Sequence, residues 1–207
     1  MKRRHILLSA ASLALVPLLP RLTPALAAGA ETVDDSDRVI GDADAPITII
    51  EYASLTCPHC ASFHTDTLPQ LKSEWLDAGK ARLVFRHFPL DRLALRAAMV
   101  TDCLEKDRAF FGLLATLFKS QQDWARADDP IDALQKHARL AGLSEERFNS
   151  CIEDEGIMDG ILATLEQARE TYEVQSTPTF FINGRKVEGN RSYEDFAAIL
   201  EDVQEDS

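Results

Sequence analysis

Cys57 and Cys60 stand in the stretch "LTCPHCASFH" with only Pro58 and His59 between them. Two thiols at this spacing can supply half of a metal site, close a small covalent loop, or open and close as a dithiol/disulfide couple. A structural zinc takes four ligands, and the chain carries only one such knuckle. The other two cysteines, Cys103 and Cys151, lie far apart on apolar helical faces, so no metal site is expected. A bridge across two residues removes little entropy from the unfolded chain, which makes a passive staple a poor use of the pair. Redox exchange is the chemistry left for it.

That chemistry depends on the elements that hold the sulfurs. Residues 46–54, "PITIIEYAS", are rich in β-branched and aromatic residues and read as a buried strand. From residue 57 to about 78 the pattern turns helical, with Ala61, His64, Leu68, Leu71, Trp75 and Leu76 at helical spacing. Pro69 is expected to kink or divide this helix, and Gly79 to stop it. Cys57 therefore opens a helix, where unpaired N–H groups and the helix dipole favour thiolate over thiol. His59 adds a donor or a positive charge, and Pro58 suits the first turn because no N–H is needed there. Cys60 lies deeper. Cys57 is thus the attacking and leaving sulfur, and Cys60 the resolving one.

Residues 81–89 form the next strand and close a β-α-β unit. The following eighty residues are helical throughout, with helices expected over 130–141, 144–155 and 157–172. Strand signals return at "TPTFFINGRKVEG", where Asn183-Gly184 marks a hairpin, and a last amphipathic helix runs from residue 193 to about 203. The fold class is α/β: one sheet interrupted by an all-helical insertion.

The first 27 residues have the basic start, short apolar run and Ala25-Leu26-Ala27 site of a cleaved signal peptide. The Arg3-Arg4 pair admits twin-arginine export, with an ordinary basic start the simpler reading. An exported, periplasmic protein without a membrane anchor is expected. Removing the leader takes the formal charge from −12 to about −16, which speaks against nucleic acid as a partner. In an exported chain four cysteines read as two disulfides, Cys57 with Cys60 and Cys103 with Cys151, the second joining two insertion helices as a structural bridge.

"EYASLTCPHCASFH" together with "TPTFFING" resembles the DsbA-like thiol:disulfide oxidoreductases, bacterial periplasmic members of the thioredoxin-fold superfamily. The resemblance implies a thioredoxin-like domain over 46–91 and 173–207, a helical insertion over 92–172, and an acidic lead-in over 28–45. It implies a cis Thr177-Pro178 bond in a loop that presents backbone groups to an extended substrate. Glu51 matches the family's buried acid, which shuttles a proton to or from Cys60. The expected activity is donation of the Cys57–Cys60 disulfide to reduced exported proteins by a monomer without cofactor. A membrane quinone-linked, DsbB-type partner would reoxidise it.

Two positions depart from the best-known oxidases. Thr177 replaces a valine and is commoner among related isomerases and reductases. His64 stands where the family often has an acid, and it is read here as a surface histidine without a role. His87 and His137 are read as structural. An isomerase or reductase kept reduced is therefore the alternative direction, and a non-catalytic peptide-binding module is the alternative from another class.

Overall fold

The computed structural model describes residues 32–205; the signal peptide and its cleavage site lie outside the described residues. The β-branched run expected as a strand is β2 (Ile47–Ala53), and the strand after the first helical segment is β3 (Ala81–His87). They pair in parallel from Ile47 beside Ala81 to Ala53 beside His87. β4 (Thr179–Ile182) pairs antiparallel to β2, and β5 (Arg185–Glu188) antiparallel to β4. Asn183 and Gly184, at φ 43° and 86°, make the tight turn between them, as a two-residue hairpin of this type demands. Asn183 also ties the turn to β2: its side chain accepts from the Thr48 N–H and donates to the Pro46 carbonyl.

A fifth strand, β1 (Arg38–Gly41), lies within the stretch expected to be a loose acidic lead-in. It pairs antiparallel to β3 at the sheet edge, giving the order β1–β3–β2–β4–β5. Gly41 allows the contact: it has φ 107°, and a Cβ there would come within 2.8 Å of the Ala81 carbonyl oxygen. Just before the strand, Asp37 takes both its carboxylate oxygens to the Arg86 guanidinium at 2.8 Å.

The helical stretch after Cys57 is divided, as Pro69 leads one to expect, and it is widened as well. α1 (Pro58–Ser62) runs into a π-helical turn, Phe63–Thr67, then α2 (Leu68–Leu71) and a second π-helical turn, Lys72–Leu76. Pro69 has no N–H to give, and just ahead of it the Leu68 N–H reaches back five residues to the Phe63 carbonyl.

Between β3 and β4 come six helices: α3 (Arg92–Asp102), α4 (Asp107–Lys119), α5 (Gln121–Ala125), α6 (Pro130–Leu140), α7 (Glu145–Glu153) and α8 (Glu155–Glu170). The short α5 carries no helix signal of its own in the sequence. Asp129, Ser144 and Asp154 cap α6, α7 and α8 through their side chains, the arrangement that acceptor residues just ahead of a helix signal. α9 (Tyr193–Glu205) ends the described chain. Among the described residues no helix is long and apolar enough to cross a membrane.

Alternation along β2 sends Ile47 and Ile49 to one face of the sheet, against Phe63, Leu71, Trp75, Phe180, Phe196 and Leu200. Ile50 and Tyr52 go to the other face, with Val84, Phe88, Phe181 and Leu165 of α8. A further buried cluster joins the start of α1 to the helical block, from Leu55, Cys57, Cys60 and Phe85 to Phe110, Phe118, Trp124 and Phe148.

Candidate active site

Cys57 is the N-cap of α1: its backbone is extended (φ −82°, ψ 120°) and Pro58 begins the helix. Its carbonyl already accepts from the Ala61 N–H. The β2–α1 connection thus aims the sulfur at the helix N-terminus, where the first N–H groups have no partners within the helix. The Cys57 thiol donates to the Thr177 carbonyl oxygen at 3.3 Å, which places the Thr177-Pro178 loop directly against it. That peptide bond is cis. Cys57 and Cys60 are both free thiols here, the first nearly buried and the second wholly so.

The two sulfurs are set apart electrostatically. A hydrogen bond from the Cys60 thiol, outweighing the cost of burial, lowers the Cys57 pKa to about 5. The Thr177 hydroxyl and the backbone N–H groups of Cys60 and His59 lower it further. While Cys57 is a thiol, its own hydrogen goes to the Thr177 carbonyl and the buried Thr177 hydroxyl has no partner. Once Cys57 ionises, that hydroxyl has an anion to donate to. Burial pushes Cys60 well above the ordinary thiol range, and the hydrogen bond to Cys57 and the nearby Cys57 and Glu51 charges act in the same direction. The His59 ring is exposed, so the part of His59 that reaches Cys57 is its main-chain N–H rather than the side chain expected from sequence.

Glu51, wholly buried, sits on β2 between Phe85 of β3 and Phe180 of β4. His64 does not lie on the surface as expected. Its side chain is 3% exposed and its Nε2 is 3.1 Å from each Glu51 carboxylate oxygen. The physical reason is its position one helical turn beyond Cys60, on the face of the helix that packs on the sheet. Its place in the apolar stripe with Leu68 and Leu71 is the signal for that burial.

Two further residues hold the active-site loop from the helical block, and sequence reasoning missed both. Gln121 of α5 donates through Nε2 to the Leu55 and Cys57 carbonyls at 2.9 Å each. Asp91, which caps α3, also accepts from the Thr56 hydroxyl at 2.6 Å. Cys103 and Cys151 form a disulfide between the C-terminus of α3 and α7, inside the same buried cluster as the two free thiols. His87 is buried against Thr101, with Nε2 3.0 Å from its hydroxyl, and half-buried His137 lies beside Ser120; neither reaches the thiols.

A family profile described as Thioredoxin matches residues 33–202. Alpha-DsbA1 of Wolbachia pipientis is 36% identical and superposes with a TM-score of 0.77, over 82% of this chain and 92% of that one. BdbD of Bacillus subtilis, at 20% identity and a TM-score of 0.72 over 81% and 92% of the two chains, shares the fold. A Rickettsia conorii protein named as a protein-disulfide oxidoreductase is 30% identical over 84% of this chain and 62% of its own length. A Rickettsia bellii protein of the same name is 29% identical over 84% and 67%. The chain therefore spans a little under two thirds of the first of these Rickettsia relatives and about two thirds of the second. With this match, and a free Cys57-Pro58-His59-Cys60 pair facing a cis proline, the chain belongs to the thioredoxin family as a DsbA-like thiol:disulfide oxidoreductase.

Proposed function

We propose that the protein is a dithiol oxidase of exported proteins, active in the periplasm. The observation that carries this reading is the place of Cys57 at the N-terminus of α1 against the Thr177-Pro178 loop, where the Cys60 thiol, the Thr177 hydroxyl and nearby backbone N–H groups favour its thiolate and lower its pKa to about 5. A couple whose attacking sulfur is stabilised as thiolate favours its reduced form, and its disulfide is correspondingly oxidising.

In the proposed reaction a substrate thiolate attacks Cys57 Sγ of the oxidised pair. The Cys57–Cys60 bond breaks, a mixed disulfide forms on Cys57, and Cys60 leaves as a thiolate that takes up a proton. Glu51, the one buried carboxylate beside Cys60 among the described residues, is the group that passes it. A second substrate thiol then gives up its proton to solvent and attacks the substrate sulfur of the mixed disulfide. Cys57 departs as the stabilised thiolate, leaving a substrate disulfide and a reduced enzyme. The substrate strand lies along Thr177-Pro178, whose backbone faces Cys57. No cofactor takes part; a membrane quinone-linked protein of the DsbB type accepts the two electrons and restores the disulfide. The enzyme acts as a monomer, and nucleic acid has no part in it.

The second reading, an isomerase or reductase kept in the dithiol form, rests on threonine standing before the cis proline, the residue commoner among related isomerases and reductases. Equilibration of the mature protein with glutathione buffers separates the two. An equilibrium well on the reduced side relative to thioredoxin is expected, and a thioredoxin-like equilibrium would overturn the oxidase direction. A Cys60→Ser variant is expected to accumulate mixed disulfides with exported proteins; an empty trap would count against catalysis of either kind.

A further inference from the structure

The Glu51–His64 contact is unusual for its burial. A carboxylate with no exposed surface is costly unless it is paired and hydrogen-bonded. Here one imidazole nitrogen serves both carboxylate oxygens at 3.1 Å. The ring is held in place on three sides. It stacks on Phe118 of α4 with centroids 4.0 Å apart and planes 24° from parallel, and it meets Phe63 and Phe85 edge-on. The neighbouring elements bring to the pair the thiols of Cys60 and Cys57 and, behind the Phe85 ring, His87. Asp66 and Lys119 are exposed.

We propose that His64 is the positioning residue of the proton transfer at Cys60: it and Glu51 form a two-residue store that holds one proton beneath the active site. With that proton, the pair is neutral. When substrate thiolate breaks the Cys57–Cys60 bond, the leaving Cys60 thiolate takes the proton, and the pair is left with one negative charge. When Cys60 later attacks a mixed disulfide during reoxidation, its proton returns to the pair. The proton thus cycles within the core, matched to the opening and closing of the disulfide. His64 makes this possible by holding both carboxylate oxygens and by offering a second site for the proton, which a lone buried carboxylate lacks. This inference rests on the reading of Glu51 given above and adds a partner that works through it.

The test is the rate at which glutathione thiolate opens the Cys57–Cys60 disulfide of the mature protein from pH 5 to 8. The variants are His64→Gln, Glu51→Gln and the double substitution. His64→Gln keeps a hydrogen-bond donor to Glu51 and cannot carry the proton. It is expected to slow opening about tenfold at pH 7, below the hundredfold that a directly placed proton donor contributes. It should also change the pH profile while the Cys57 pKa of the dithiol form stays as in the wild type. The double variant should be no slower than the slower single one, because the two residues act as a unit. A His64→Gln rate within twofold of wild type at every pH, or single effects that multiply in the double variant, would overturn the proposal.

Should His64→Gln not fold, nitrogen-15 spectra of histidine-labelled wild-type protein decide. The His64 ring nitrogens are expected to shift between disulfide and dithiol forms at constant pH, and coincident spectra would refute the store. A thioredoxin-like equilibrium with glutathione would remove the oxidase direction and leave this comparison standing, because the exchange passes through Cys60 either way.

Discussion

Gln121 spans 64 residues of sequence to reach Cys57, donating to its carbonyl oxygen at 2.9 Å and, with the same nitrogen, to that of Leu55. The helical block thereby holds the N-terminus of the active-site helix. Replacement by Met keeps the length of the side chain, leaves the buried Leu55 carbonyl unpaired and leaves the Cys57 carbonyl with the Ala61 N–H alone. The expected cost is about 2 kcal/mol, read as a lower urea midpoint. A midpoint equal to wild type would mean that the loop holds its shape without the amide.

Thr177→Val removes a hydroxyl and keeps the shape. The Thr177 carbonyl that accepts from the Cys57 thiol is retained, and a donor to the thiolate is lost. The Cys57 pKa should rise by about one unit, roughly 1.4 kcal/mol, followed by thiolate absorbance in the ultraviolet. The disulfide should become less oxidising by about the same factor. An unchanged titration would place the stabilisation wholly on Cys60 and the main chain.

Stability of the dithiol form should depend on pH with a definite sign. Cys57 ionises near pH 5 in the folded protein, against an ordinary value of 9.0. Between those values only the folded state holds a thiolate. The stabilisation is therefore complete above about pH 9, shrinks as pH falls, and is lost below about pH 5. At pH 7 it amounts to about 2 to 3 kcal/mol, and the oxidised protein lacks it. Urea unfolding of both forms at pH 4.5 and pH 7 tests this, since a gap between them that ignores pH would contradict it.

Reaction with iodoacetamide offers a separate check on the division of labour between the thiols. Cys57 is the ionised one and Cys60 is buried with a raised pKa, so a single alkylation at Cys57 is expected at pH 7. Its rate should be flat above about pH 6 and fall tenfold per pH unit below 5. Labelling of both cysteines at equal rates would be inconsistent with the geometry.

The Cys103–Cys151 bridge closes a span of 48 residues between α3 and α7. Replacing both by Ser should cost at most about 4 kcal/mol on the chain-entropy model, measured by thermal unfolding of the oxidised protein. A variant as stable as wild type would mean that residual contacts already restrain this span in the unfolded chain.

The features legible in the sequence are local ones. The β-branched run of β2, the Asn183-Gly184 turn and the capping residues Asp129 and Ser144 act within a few positions, so their effect is visible in the chain itself. The N-terminal placement of Cys57 follows from a strand meeting a helix. β1 is illegible because four residues at a sheet edge are a strand by virtue of their partner, here β3. His64 lies in view as part of a helical stripe, yet its burial is decided by a carboxylate on a different element. Gln121 and Asp91 carry no pattern, since the carbonyl and hydroxyl they bind belong to a distant loop.

The buried cluster that runs from Cys57 and Cys60 through Phe85 into Phe110, Phe118, Trp124 and Phe148 has a consequence for anyone shortening this protein. The helical block looks excisable on a topology diagram, a cassette between two strands. Physically it is one wall of the reaction chamber. Cutting it out would expose Leu55 and Phe85 to water, strip the loop carbonyls of their amide donor and remove the ring on which His64 rests. A minimal version of this enzyme would need a replacement wall before it needed new chemistry.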